Sequence, residues 1–272
     1  MHRAFIGLLL LAPLCSTVGI QVVNFRLAFF AEAIGHSAFT GIALGFLLAS
    51  LSGLSHVELG SMIGFGILVA VVITFYRRRS GLASDTVIGV FSSMVIALGL
   101  CVITHLINSN RLRGGGSQVF NFLMGNILTI RADEIVVLFG FFVIAIGFQF
   151  FAYNRLLFIG INASLAETRG VHVWLYEYGF AVLLALVVTF SIKAVGVLLV
   201  TAMLVIPAAA ARNLAHSAGS LFWWGGAIAV TSAVGGLLVS DAFNSATGAT
   251  TVLLISAWFV ASSLYSWLAG RE

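Results

Sequence analysis

The sequence predicts an all-α protein that crosses a membrane many times. Of its 272 residues, 61% are hydrophobic and only 8% are charged, whereas a soluble domain carries about 25% charged residues. Apolar segments of roughly 20 residues, the length at which a helix spans a bilayer, follow one another along the chain. We therefore expect residues 1–272 to form a single transmembrane domain of eight or nine spans, joined by loops too short to hold a soluble domain.

The order of the spans follows from the apolar runs, which cover 4–24, 27–50, 57–76, 86–107, 135–153, 175–191, 195–211, 220–240 and 249–268. The first run follows Arg3 as a secretory signal would. No small-x-small cleavage site follows it, however, and its apolar character continues to Val23, so we interpret it as a span.

Two further segments are too short to be ordinary spans. The runs 175–191 and 195–211 are separated only by Ile192, Lys193 and Ala194, so they form either a hairpin of brief helices or one broken element. The piece 119–130, about 12 residues long, predicts a re-entrant or interfacial helix.

Arginine distribution predicts the orientation of the chain. Cytoplasmic loops are enriched in Lys and Arg, and this bias favours an external amino terminus and a cytoplasmic carboxyl terminus. The residues then placed inside are Arg26, Arg77, Arg78, Arg79, Arg155, Arg169, Arg212 and Arg271; those placed outside are Arg3, Arg111, Arg113, Arg131 and Lys193. The formal net charge of +4 is therefore interpreted as membrane topology and not as affinity for nucleic acid.

The strongest functional signal is the pair Glu32 and His36 in the second apolar run. A charged residue at the centre of a spanning helix costs about 2.5–3.5 kcal/mol on insertion scales, so such residues usually face the protein interior or a water-filled path. Their i, i+4 spacing places both side chains on one helix face, where they suit a transition-metal ion or a relayed proton. The alternative is that the two groups bond to each other or to backbone carbonyls and fasten the bundle.

The same run carries a stripe of small residues with a four-residue period, comprising Ala33, Ser37, Gly41, Gly45 and Ala49. Such a stripe lets another helix approach closely. It fits a narrow helix-lined path beside the polar pair, and it equally fits ordinary packing of the bundle.

The sequence contains no visible site for ATP hydrolysis or for other catalysis. A P-loop requires Gly-Lys-Ser/Thr, and the only lysine is Lys193 in Ser-Ile-Lys-Ala. Neither His-Glu-x-x-His nor Gly-x-Ser-x-Gly is present. We therefore expect a chain that is not an enzyme, with any ATP hydrolysis on another subunit.

The longest internal loop, from about Asn154 to Trp174, predicts one short cytoplasmic helix. Asn162 or Ser164 can cap its start and Gly170 can end it, while Ala166 would leave a shallow face for docking against a partner. A plain connector is the alternative.

Several blocks of sequence together resemble one family. The run from Arg26 to Gly45 contains Glu32-Ala33-Ile34-Gly35-His36 and then Gly41-Ile42-Ala43. It resembles the Asp-Ala-Leu/Ile-Ser-His-x-x-x-x-Gly-x-Ala segment of the ABC-3 family, the membrane permeases of ATP-driven importers for zinc, manganese and iron(II). Further blocks agree in the same order, at 85–89, 122–128, 165–171, 193–199 and 204–212, with Gly248 near the last span.

The resemblance implies a permease in the cell membrane of a prokaryote, working as a homodimer or as paired permeases. It implies two cytoplasmic ATP-binding subunits that hold the ATP, and an extracytoplasmic metal-binding protein that delivers zinc, manganese or iron, with no covalently bound cofactor. It assigns Glu32 and His36 to the metal path, and its matching internal block assigns the contact with the ATPase to Leu165, Ala166, Gly170 and Val171.

The sequence departs from the family pattern at four positions. Glu32 replaces the usual aspartate and adds one methylene, Gly35 replaces the common serine or alanine, and Asn162 and Asn244 stand where aspartate is frequent. One carboxylate and one imidazole do not choose among zinc, manganese and iron.

Two rival functions follow from the residues alone. In a proton- or ion-coupled secondary transporter, Glu32 and His36 would form a relay and no ATPase would bind. In a non-transporting membrane assembly subunit, the same pair would be purely structural. Co-purification with an ATPase separates the first function from both rivals.

Overall fold

The computed structural model describes residues 2–52, 57–109 and 132–269. Every element of regular secondary structure in these ranges is an α-helix. The helices are α1 (His2–Asn24), α2 (Ala28–Ser52), α3 (Val57–Arg79), α4 (Ser84–Asn108), α5 (Ala132–Ile161), α6 (Ala163–Thr168), α7 (Val173–Val195), α8 (Val197–Leu214), α9 (Ala218–Phe243) and α10 (Thr247–Leu268).

Within these ranges, nine helices are long and apolar enough to cross a membrane, and only α6 is not. The prediction of an all-α polytopic protein is confirmed, at the higher of the two predicted numbers of spans. The predicted re-entrant piece 119–130 lies outside the described residues, as do Arg111, Arg113, Arg131 and Arg271.

The two short runs near the middle of the chain are two helices, each long and apolar enough to span a membrane, with a one-residue break between them. They are longer than the apolar runs indicated, because α7 has 23 residues and α8 has 18. The break falls at Gly196, whose φ of +86° lies in the left-handed region that glycine adopts without a steric cost.

The fifth span also extends beyond its predicted end at residue 153. Helix α5 continues to Ile161, since Leu156 and Ile159 give its last two turns a buried apolar face. The internal segment between α5 and α7 is consequently shorter than the predicted loop from Asn154 to Trp174.

The helices fall into two compact units. One unit contains α1, α5, α6, α8, α9 and α10, and in it α1 packs against α5, α8 and α9. One polar contact joins α1 to α5, where the Gln149 side-chain amide donates to the backbone carbonyl of Thr17 over 2.6 Å. Gly19 allows α1 to approach α8, because a Cβ there would overlap the backbone of Leu204.

The other unit contains α2, α3, α4 and almost all of α7, and in it α2 packs against both α3 and α4. The predicted small-residue stripe is where α3 approaches. A Cβ at Gly41 would lie 2.6 Å from Cα of Met62, and a Cβ at Gly45 would lie 2.6 Å from Cα of Glu58. The stripe therefore packs the bundle within the chain, which is the second of its two interpretations.

Candidate functional site

Glu32 and His36 lie on one face of α2, as their spacing predicts. Nε2 of His36 is 3.6 Å from Oε1 of Glu32. This distance is too long for a good hydrogen bond, so each side chain keeps its capacity to bind another group. The Glu32 side chain is 54% exposed and the His36 side chain 33% exposed.

The pair is exposed because the helices that pack on α2 cover its other faces. Gly41 and Gly45 hold α3 against one side. On another side, the Thr40 hydroxyl donates to the Val95 carbonyl of α4 over 2.6 Å. The remaining face presents Phe29, which is 58% exposed, together with Glu32 and His36.

An open carboxylate on a membrane helix needs a polar surrounding. Charged groups facing lipid are costly, so they usually face a water-filled cavity or another protein surface. Across the described ranges, no lysine or arginine forms an ion pair with Glu32. The interpretation in which a buried pair fastens the bundle is therefore not supported, because this pair is not buried within its own chain.

Two neighbouring donor side chains are fewer than a metal site usually needs. Within the described residues, no cluster of three or more His, Cys, Asp or Glu side chains is close enough to hold an ion. Zinc is usually bound by four ligands in a tetrahedral arrangement. A metal site built on Glu32 and His36 would therefore need further ligands.

Helix α6 begins and ends where the sequence predicts. Asn162 is its N-cap, with the side-chain carbonyl accepting from the Leu165 backbone N–H over 3.0 Å. At the other end, the N–H groups of Gly170 and Val171 donate to the carbonyls of Glu167 and Ala166. This is the Schellman arrangement, which needs a left-handed residue, and Gly170 supplies it with φ +78°.

The exposed surface of α6 differs from the one expected. Ala166 is fully buried against its own chain, whereas Leu165 is 47% exposed. The expected shallow docking face at Ala166 is therefore wrong for the free chain, because the helix turns that residue inward. Ala166 packs α6 against its own chain, and Leu165 is the apolar side chain that remains exposed to a partner.

One polar contact was not anticipated. Glu177, near the start of α7, places Oε1 3.2 Å from Nη2 of Arg77 and Oε2 2.6 Å from Nη1 of Arg78, both on α3. The arginine cluster had been interpreted only as a marker of the cytoplasmic side. The available signal was an acidic residue early in an apolar span predicted to start on that same side.

Comparisons with known proteins agree over nearly the whole chain. A model described as the ABC 3 transport family matches residues 1–266. The chain is 29% identical over 262 residues to the manganese import system permease protein ScaB of Streptococcus gordonii, which covers 96% of this chain and 90% of ScaB. It is 26% identical over 254 residues to the high-affinity zinc uptake system membrane protein ZnuB of Haemophilus influenzae, with 93% of each chain covered. Among solved structures, it is similar to PsaBC from Streptococcus pneumoniae in complex with Fab, with a TM-score of 0.80 and 30% identity over 96% of this chain and 90% of the other.

Proposed function

Because this chain belongs to the ABC 3 transport family, we propose that it is the membrane permease subunit of an ATP-driven importer of manganese or zinc ions. The observation that carries the proposal is the open Glu32–His36 pair on a membrane helix. The names of the relatives ScaB and ZnuB, a manganese importer and a zinc uptake protein, narrow the cargo to these two metals.

A second copy of the permease completes the metal site. Each copy contributes one carboxylate and one imidazole on the α2 face that its own helices leave uncovered. Two such pairs facing each other give four ligands, enough for tetrahedral zinc at about 2.0–2.2 Å, and added waters would suit manganese. The absence of thiolates from this ligand set keeps binding weak enough for the ion to leave.

Energy comes from two ATP-binding subunits on the cytoplasmic side. They contact the segment 162–171, where α6 presents Leu165 while Ala166, Gly170 and Val171 fix the shape of the turn. A capped helix with a Schellman end holds its shape under load better than a free loop would. An extracytoplasmic metal-binding protein delivers the ion at the opposite side.

The chain crosses the cell membrane with its amino terminus outside and its carboxyl terminus in the cytoplasm. Nine candidate spans among the described residues, an odd number, support termini on opposite sides. The cluster Arg77 to Arg79 ends α3 and favours the cytoplasm at that end. The α6 segment is on the same side, where an ATPase can reach it.

The test is uptake of manganese and of zinc by vesicles that contain this chain, its ATPase and its binding protein. We expect ATP-dependent accumulation of one or both metals that persists when an ionophore collapses the proton gradient. Accumulation that needs the gradient and not ATP would instead identify a secondary transporter. A folded complex that hydrolyses ATP without accumulating either metal would overturn the proposal.

A further inference from the structure

The ion pairs at Glu177 join α7, the helix after α6, to α3, which packs on α2, the helix that carries Glu32 and His36. One carboxylate holds two guanidinium groups, with the side chains of Glu177 and Arg77 only 15% and 13% exposed. Charge-assisted contacts of this kind are stronger than neutral hydrogen bonds, and partial burial reduces screening by solvent. The cytoplasmic end of α7 is thereby fastened to the cytoplasmic end of α3.

A second contact between the same helices lies deeper in the bundle. A Cβ at Gly66 of α3 would be 2.7 Å from Cγ2 of Thr189 on α7 and 3.6 Å from Oγ of Ser37 on α2. Ser37 directly follows His36. Helices α2, α3 and α7 therefore meet at the level of His36, on a different face of α2 from the one that carries Glu32 and His36.

The two contacts match in spacing. Gly66 and Arg77 are 11 residues apart on α3, and Glu177 and Thr189 are 12 residues apart on α7, which correspond to about 17 and 18 Å of helix. Two fixed points at equal separation on antiparallel helices oppose both sliding and pivoting of one helix on the other. Loss of the outer contact would weaken the attachment of the cytoplasmic end of α7 to α3.

We propose that Glu177 is a positioning residue for transport: by clamping α7 to α3, it makes a displacement of the α6 segment move the helices that hold Glu32 and His36. This inference rests on the proposed function, in which the ATPase acts on α6. The chain passes from α6 through the Gly170 turn directly into α7, and Glu177 lies in the second turn of that helix. Without the clamp, α7 yields at its cytoplasmic end, and ATP is hydrolysed with little movement of α2.

The experiment measures metal accumulated per ATP hydrolysed by the complete transporter in vesicles. Glu177→Gln keeps the size of the side chain and removes its charge. We expect ATP hydrolysis to continue while the ratio falls about tenfold, within the range typical of coupling between sites. The matched control is Arg79→Gln, because Arg79 belongs to the same cluster but lies over the Phe75 ring at 5.0 Å; its ratio should stay at the wild-type value.

A charge exchange separates coupling from stability. Glu177→Arg alone should lower the ratio, and combining it with Arg78→Glu restores one carboxylate between two guanidinium groups and should restore the ratio. If Glu177→Gln does not assemble, the double variant Glu177→Arg with Arg78→Glu takes its place as the test. Recovery of the ratio of metal to ATP in this double variant supports the clamp. A double variant that assembles but keeps a low ratio contradicts it. An unchanged ratio in assembled Glu177→Gln also overturns the inference, whereas a wild-type complex that accumulates no metal overturns the proposed function instead.

Discussion

Glu32 and Glu177 lie in the same compact unit, and their surroundings are opposite. Glu177 is 15% exposed and is held by two arginines at 3.2 and 2.6 Å. Glu32 is 54% exposed, and its partner is a histidine at 3.6 Å. The Glu177 carboxylate is paired with arginines of its own chain, whereas the Glu32 carboxylate is exposed on a membrane helix.

The difference separates a carboxylate whose charge is compensated by arginines of its own chain from one that is exposed. A carboxylate that neutralises neighbouring arginines gains nothing from a passing cation, because its charge is already compensated. A carboxylate without such a partner can exchange water for a metal ion and then release it. Glu32 therefore suits transient binding of cargo, and Glu177 suits a permanent clamp.

The largest expected effect is on uptake when the open pair is changed. Glu32→Gln and His36→Ala should each lower metal uptake by about 100-fold or more, since even groups that only support a metal ligand are worth about 10–100-fold. Uptake by reconstituted vesicles measures this effect. His105→Ala is the control and should leave uptake unchanged, because His105 lies in the last turn of α4, well beyond Val95, where α4 contacts Thr40 of α2. Full uptake in both folded variants of the pair would remove it from the metal path.

Thermal stability should depend more on Glu177 than on Glu32, the reverse of their order in metal uptake. Glu177→Gln removes the carboxylate that contacts Arg77 and Arg78 and should lower the melting temperature by about 2–8 °C, from a loss of about 1–2 kcal/mol. Glu32→Gln removes a charge that has no cationic partner among the described lysines and arginines, so its melting temperature should change by about 1 °C or less. Melting of the purified protein in detergent gives both values. Equal losses would show that both carboxylates are structural.

The close contact between α2 and α3 at Gly41 should be sensitive to one added methyl group. Gly41→Ala would place Cβ 2.6 Å from Cα of Met62, and forcing the two backbones apart should cost about 1–3 kcal/mol. Gly64→Ala on α3 is the control, because no heavy atom lies within 4 Å of a Cβ there; it should be neutral or stabilise the helix by about 0.5–1 kcal/mol. Thermal melting of both variants in detergent makes the comparison. An equal loss of stability in both variants would mean that the contact of Gly41 with α3 is not the cause of the loss.

The smallest expected effect is that of Glu32→Asp, which shortens the carboxylate to the residue common in the family. A carboxylate remains within reach of His36, so the apparent affinity for metal should change by less than about tenfold, or 1.4 kcal/mol. The concentration dependence of manganese and zinc uptake measures it. A loss as complete as that of Glu32→Gln would show that reach, and not charge, determines function at this position.

Local features of the sequence were sufficient for much of this structure. The spans were predictable because apolar length is a property of consecutive residues, and the stripe containing Gly41 and Gly45 was predictable because helical periodicity defines a face. The start of α6 at Asn162 and its end at Gly170 followed from capping chemistry. The end of α5 was missed, because the apolar character of residues 156–161 was assigned to a loop.

Features that depend on distant contacts could not be predicted. Glu177 and Arg78 are 99 residues apart, so their pairing depends on how α3 and α7 pack. The inward orientation of Ala166 depends on what lies beneath α6. Glu32 and His36 are exposed because the neighbouring helices cover other faces of α2. The spacing of residues within α2 does not predict which faces are covered.

The most direct test of the account is the number and identity of the ligands around the bound ion. We expect the purified transporter, saturated with zinc, to bind one ion per two permease copies, and X-ray absorption to show two imidazoles around it, one His36 from each copy. His36→Ala should remove both the imidazole signal and the bound ion. One ion per permease copy, or imidazole ligation that persists in His36→Ala, would contradict a site formed by two open Glu32–His36 pairs.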